Sequence, residues 1–201
     1  VIQTQGVLPY VRVIVAGIGE VGTATAFDLQ SAVAGAVVRA KGSKSTSVVL
    51  SLPQEIINRF GAFLSARLVT EAVGFGMYSF LPYKNKQTRK KDIALDTVTM
   101  AVSGIQMKET MRGIVDGSHR ASGTVFARDL VNEPSSVMTP SAIARAAKSL
   151  AGQKGIRCSV FGKKEIRALK MEAFLGVARG SDEEPKFIKL SYRGGGKKTI
   201  C

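Results

Sequence analysis

Histidine and cysteine are nearly missing from this chain, which has one histidine, His119, and two cysteines, Cys158 and Cys201. A zinc site built on two or three imidazoles is therefore excluded within it. Two thiols so far apart in sequence make no metal knuckle, redox C-x-x-C or disulfide framework, and a reducing compartment fits that usage. A Ser-His-Asp arrangement would have to use His119, which sits in the polar stretch GSHRASG and reads as a solvated histidine on a helix face. Long apolar runs are missing too. Arg12, Glu20, Asp28 and Arg39 interrupt the most hydrophobic region, so no stretch approaches the roughly 18 apolar residues of a membrane helix. The start also lacks the basic, apolar, small-residue order of a signal peptide. A cytoplasmic protein with no membrane partner is the default expectation. Val1 in place of methionine, and a last segment Lys197 to Cys201 that turns apolar as it stops, make both ends look cut.

Acidic residues are in short supply: 15 against 29 lysines and arginines, a net charge of +14. The densest basic piece is KNKQTRKK, with Lys84, Lys86, Arg89, Lys90 and Lys91 and no acid. Such a run could grip the phosphates of a nucleic acid through counterion release. No aromatic residue is interleaved within it to stack on bases, so a solvated surface loop is the favoured reading.

What is present suits a soluble globular protein: 45% apolar residues, 22% charged, and a length that allows one large domain or two small ones. Val11 to Ala16 reads as a buried β-branched strand. The alanine-rich stretch from Thr23 to Gly42 then reads as a helix with Phe27, Gln30, Ala34 and Val37 or Val38 at near-helical spacing. Thr46 to Leu52 reads as a strand, Gln54 to Val73 as a helix, and Asp96 to Val102 as a strand; such alternation predicts a mainly parallel sheet covered by helices. From Gln106 to Val131, Met107, Met111, Ile114, Val115, Ser118, Ser122, Val125 and Phe126 recur at steps of three and four, a long helix weakened by Gly113, Gly117 and Gly123. Pro134 and Pro140 break that pattern. A second α/β unit follows: a helix capped by Thr139 with Pro140 at its first position, a strand over 157–161, a basic helix over 163–170 and a strand over 186–192.

One stretch invites a cofactor. VIVAGIGEVG places Gly17, Gly19 and Gly22 in the G-x-G-x-x-G spacing of a dinucleotide-binding turn, preceded by a strand and followed by a helix. That fingerprint also needs an acid at the end of the second strand for the ribose hydroxyl, and the strand ends Leu50, Ser51, Leu52, Pro53. Arg39 precedes that strand, so it does not replace the acid in an NADP reader, and Glu20 brings a carboxylate to where phosphate would arrive. A tight strand-to-helix turn is the simpler reading; a Rossmann-type NAD(P) or ADP-ribose module using Gly17, Gly19 and Gly22 is the alternative.

The segment RDLVNEPSSVMTP, together with KMEAFLGVARGSDEEPKFIKLSYRG, resembles the leucyl aminopeptidase (cytosol aminopeptidase) family at the junction between its N-terminal and catalytic domains. The resemblance rests on Arg128, Asp129, Leu130 and Asn132, then Pro134, Thr139 and Pro140, then Met171, Val177, Gly180 and Ser181, then Pro185 and Tyr192. Ser136, where the family commonly has asparagine, and Glu172, where glycine is usual, depart from the pattern. The resemblance implies an α/β protein with a macro-domain-like N-terminal domain over 1–105 and a connecting helix over 106–132. The truncated beginning of an α/β zinc-exopeptidase-like catalytic domain would then occupy 133–201. It further implies a parent metallo-aminopeptidase that removes N-terminal residues from peptides with two divalent ions, zinc or manganese, and assembles as a homohexamer. The family's catalytic and metal-binding motifs are expected beyond Cys201. No catalytic, cofactor-binding or metal residue is therefore assigned: Asp129, Asp182, Glu183 and Glu184 are not the counterparts of the ligands. The 201 residues should bind no metal and be inactive alone. Asp182 to Glu184 before Pro185 reads as a solvated turn rather than a hard-cation site.

Overall fold

The computed structural model describes residues 1–92, 95–153 and 155–194. They fall into two compact units, Val1–Asp129 and Leu130–Cys201. The first opens with a short antiparallel pair, β1 (Ile2–Gln3) and β2 (Arg12–Val13). Val11 to Ala16 therefore does not form the buried strand its composition suggests: Val11 and Val15 are 73% and 75% exposed. A partner two residues long pairs only Arg12 and Val13, and the rest of the run is left without a ladder.

Helix α1 (Ala26–Gly42) starts at a reciprocal cap. The Thr25 hydroxyl accepts the Asp28 N–H at 3.2 Å, while Asp28 Oδ2 accepts the Thr25 N–H at 2.8 Å. Its buried stripe is Leu29, Val33, Val37 and Ala40; of the line expected from spacing Val37 is buried and Ala34 packs against the core, while Phe27 is 74% exposed. Next come β3 (Ser47–Ser51), α2 (Gln54–Phe60), α3 (Ala62–Met77), the short α4 (Lys86–Lys91), β4 (Thr97–Ala101) and α5 (Met107–Asn132). The single helix expected from Gln54 to Val73 is broken at Gly61, whose φ of 77° and ψ of 156° suit glycine alone.

Strands β3 and β4 pair in parallel, Val48 opposite Val98 and Leu50 opposite Met100, and these four side chains pack on the core. This is the one parallel pair among the described residues. The core is built from α1, Ile56 of α2, and Leu68, Val69 and Ala72 of α3, with Leu95 beside them. Burying a side chain such as Leu29 or Ile56 contributes about 1.5–3 kcal/mol.

Helix α5 has the predicted extent but presents another face. Thr110, Gly113, Gly117 and Ala121 are its buried positions, while Met107, Met111 and Val115 are about half exposed (49%, 51% and 52%). A Cβ on Gly113 would sit 2.3 Å from the Phe63 carbonyl, and one on Gly117 2.6 Å from the Arg67 carbonyl. Gly113 and Gly117 thus let α5 lie against the backbone of α3, and are packing positions rather than the weak points their helix propensity suggests. Gly123, by contrast, faces open space.

In the second unit, Thr139 caps α6 (Pro140–Leu150) as expected. Strands β5 (Ile156–Phe161) and β6 (Phe187–Tyr192) pair antiparallel from Ile156 opposite Tyr192 to Phe161 opposite Phe187. Between them lie α7 (Lys163–Ala168) and α8 (Glu172–Val177). Ile166 is fully buried, with Ala144, Ala147 and Leu175 also interior. Phe187 packs on Phe161 and Phe174, with ring centroids 5.7 and 6.1 Å away. The basic helix stops earlier than its composition suggests, because Lys170 takes a φ of 56° and the chain restarts as α8.

Candidate functional site

Four places singled out in the sequence can be judged by what surrounds them. The first is the glycine turn. No strand runs into Gly17, and α1 begins at Ala26 rather than directly after the glycines. Arg59 of α2 fastens the loop by donating from Nη1 to the Gly22 carbonyl at 2.6 Å and from Nε to the Ala24 carbonyl at 2.8 Å. At the helix start, where a phosphate would meet free N–H groups, the chain supplies its own anion, Asp28. Hydrogen bonds from the Thr25 hydroxyl and backbone hold that carboxyl below its ordinary value. A phosphate would have to displace or face this carboxylate, so the geometry supports a structural turn at Gly17, Gly19 and Gly22.

The second place is the junction motif. Arg128 lies over the rings of Phe75 (5.0 Å to the centroid) and Tyr78 (5.6 Å), and the Tyr78 hydroxyl donates to Asp129 Oδ1 at 2.9 Å. These two motif residues therefore hold the end of α5 on the end of α3. After Asn132, the Pro134 carbonyl accepts the N–H groups of Val137 (2.9 Å) and Met138 (2.8 Å), making the turn that delivers Thr139 to the start of α6. Further on, Met171 precedes α8 and its carbonyl accepts the Leu175 N–H. Tyr192 ends β6. The conspicuous residues of the motif are thus turn, cap and clamp residues rather than a reactive cluster.

The third is the acidic turn. Glu184 Oε2 pairs with Lys186 Nζ at 2.5 Å and Oε1 accepts the Lys163 N–H at 3.2 Å, while the Glu183 N–H donates to Ser181 Oγ. The Lys186 hydrogen bond, then the Lys163 N–H, lower the Glu184 carboxyl. Among the described residues no group of three or more His, Cys, Asp or Glu side chains is placed to hold a metal ion. A pair of divalent ions therefore does not fit the residues described.

The fourth is the basic run, which is a capped helix rather than the expected loop. Asn85 Oδ1 accepts the Thr88 N–H at 2.8 Å at its start. Arg89 donates to the Lys84 carbonyl at 2.9 Å and also to the Pro82 carbonyl. At its end, Asp92 is drawn inward: its carboxylate pairs with Lys41 Nζ at 3.2 Å and accepts from Ser79 Oγ at 3.0 Å. Lys41 also donates to the Met77 carbonyl at 3.0 Å. Sequence reasoning missed this anchor because its parts are spread over α1, the end of α3 and the end of α4. His119 is an exposed residue of α5, as read from its polar surroundings. The last segment, Lys197 to Cys201, lies outside the described residues, as does the Lys91 side chain.

Comparison with known proteins supplies what the geometry leaves open. The model of the cytosol aminopeptidase family N-terminal domain matches residues 1–87, and that of the family's catalytic domain matches residues 125–201. Curated relatives include a probable cytosol aminopeptidase of Alkaliphilus metalliredigens, 31% identical over 96% of this chain, and one of Geotalea uraniireducens, 32% identical over 98%. The chain spans 39% of the length of each. Among solved structures, the bottromycin maturation enzyme BotP in complex with Mn superposes with a TM-score of 0.72 at 30% identity, covering 90% of this chain and 36% of BotP. A tomato leucine aminopeptidase mutant shares the fold, with a TM-score of 0.69 at 22% identity over 86% of this chain and 34% of its own. Among the described residues, no helix is long and apolar enough to cross a membrane.

Proposed function

The chain belongs to the cytosol aminopeptidase family, and on that premise we propose that it is the leading part of a metal-dependent aminopeptidase that removes N-terminal residues, leucine among them, from peptides. The observation that carries the reading is order: the family's N-terminal and catalytic domain models match one after the other along this chain. Residues 1–105 are then the N-terminal domain, 106–132 the connecting helix and 133–201 the beginning of the catalytic domain. The cofactors of the reading are two divalent ions, zinc or manganese; the Mn held by BotP supports manganese as the first to test. On this reading the part of these residues in the activity is architectural. The clamp of Arg128 and Asp129 holds the end of α5 on the end of α3, and the Pro134 turn leads into α6. A homohexamer in the cytoplasm completes the proposal.

An assay on a leucyl chromogenic amide and on leucyl dipeptides, with added Mn or Zn, tests it. The complete polypeptide containing these residues should turn over substrate, lose activity to a chelator and regain it with metal, whereas the 201 residues alone should be inert. Turnover by the 201 residues would overturn the architectural role. Failure of the complete polypeptide would overturn the aminopeptidase reading.

A further inference from the structure

The proposed function assigns no role to the basic helix α4, and its construction points elsewhere. Residues 82–90 are all exposed. Within them Lys86, Arg89 and Lys90 stand at i, i+3 and i+4, on one face, a spacing at which like charges weaken a helix. The nearest acid in sequence, Asp92, offers no relief, because its carboxylate is committed to Lys41 and Ser79. Lys84, Lys86 and Lys90 have neither an ion pair nor a side-chain hydrogen bond among the described residues. Instead the helix is held by its caps, by Arg89 on the loop carbonyls and by the Lys41 anchor, so the lysines are carried on a fixed backbone. A local rule broken without internal compensation is expected where an outside partner supplies it.

Beside these cations stands a flat aromatic surface. Tyr83, immediately before Lys84, is 58% exposed, and its ring is braced by the half-buried Phe80 with centroids 6.0 Å apart. The run itself contains no aromatic residue, and Tyr83 stands at its edge. We propose that Tyr83, Lys84, Lys86, Arg89 and Lys90 form a binding surface for single-stranded nucleic acid, read without sequence preference. The lysines and arginine contact successive phosphates, and one base stacks on Tyr83. An anionic membrane fits less well, since α4 is polar throughout its sequence, with Gln87 and Thr88 as its uncharged residues, and has no apolar residue to enter lipid.

Fluorescence anisotropy of the 201-residue chain with a labelled oligothymidylate, across a KCl titration, tests this. Saturable binding should weaken with salt. A triple Lys84→Gln, Lys86→Gln, Lys90→Gln variant should lose about 2 from the slope of log affinity against log salt, three phosphates at about 0.7 each. Its far-UV circular dichroism should be unchanged. Tyr83→Ala should weaken binding roughly tenfold at constant salt, the loss of one stacked base. A charge-matched control, Lys108→Gln, Lys148→Gln, Lys164→Gln, should bind like the unmodified chain. The proposal is overturned if that control loses as much affinity as the triple variant, if Tyr83→Ala binds normally, or if the chain binds anionic vesicles but no oligonucleotide. None of these readouts depends on peptidase activity, so the two proposals fail separately.

Discussion

Gly117 has no side chain because the Arg67 carbonyl stands where one would go, and Gly113 meets the Phe63 carbonyl in the same way. Gly117→Ala should therefore destabilise the fold by about 1–3 kcal/mol, the range for forcing an extra methyl into a packed contact. Gly123→Ala, in the same helix but in open space, should stabilise it by up to about 1 kcal/mol through helix propensity. Thermal unfolding of the two variants checks both signs, and a Gly117→Ala chain that melts as high as the unmodified one would contradict the packing. The cap of α1 gives a pH prediction. Thr25 donates to the ionised Asp28 carboxylate and lowers its pKa from the ordinary 3.8. A depressed folded value means the cap's contribution is present above the ordinary value and fades as pH falls through the depressed one. NMR titration should place Asp28 below 3.8, and Thr25→Val should return it toward that value.

At the level of elements, α4 depends on residues outside itself. Removing Lys41 leaves the half-buried Asp92 carboxylate short of its cation, at a cost of about 1–3 kcal/mol. Lys41→Met should therefore speed hydrogen exchange of the α4 amides while leaving α6 and β5 unchanged; equal exchange in both chains would show that the anchor does not hold the helix. Most elements were legible from the chain alone. Apolar spacing located α1, α5 and α6, and β-branched runs located β3, β4 and β5. What spacing could not settle was which face turns inward. On α5 the apolar residues Met107, Met111 and Val115 suggested one stripe, yet the buried one runs through Gly113, Gly117 and Ala121. There, close backbone approach outweighs side-chain hydrophobicity, and composition carries no signal for that. The break at Gly61 was also hidden, because apolar periodicity continues across it while the backbone does not. As for the junction, its motif was readable as a pattern, but the clamp that Arg128 makes with Phe75 and Tyr78 joins residues some fifty positions apart.

Over the whole chain, the surface carries both a net charge of +14 and large apolar side chains in the open: Ile105 is 98% exposed, Val177 89%, Val7 84% and Val131 83%. The 201-residue chain should accordingly bind the dye ANS at neutral pH with its helical circular dichroism intact; no dye binding by a chain that light scattering shows to be monomeric would contradict that exposure. The glycine contacts of α5 have a further consequence, for the history of the sequence. Gly113 and Gly117 lie on the backbone of α3, while Arg128 in the same helix lies over Phe75 and Tyr78 near the other end of α3. One residue inserted between these points would turn Arg128 by about 100°. Seven would restore its direction to within about 20°, yet carry it roughly 10 Å along the axis at about 1.5 Å per residue. No insertion keeps both contacts. Aligned relatives that share this clamp should vary in length before Gly113 or after Asp129, and keep an unchanged number of residues in between.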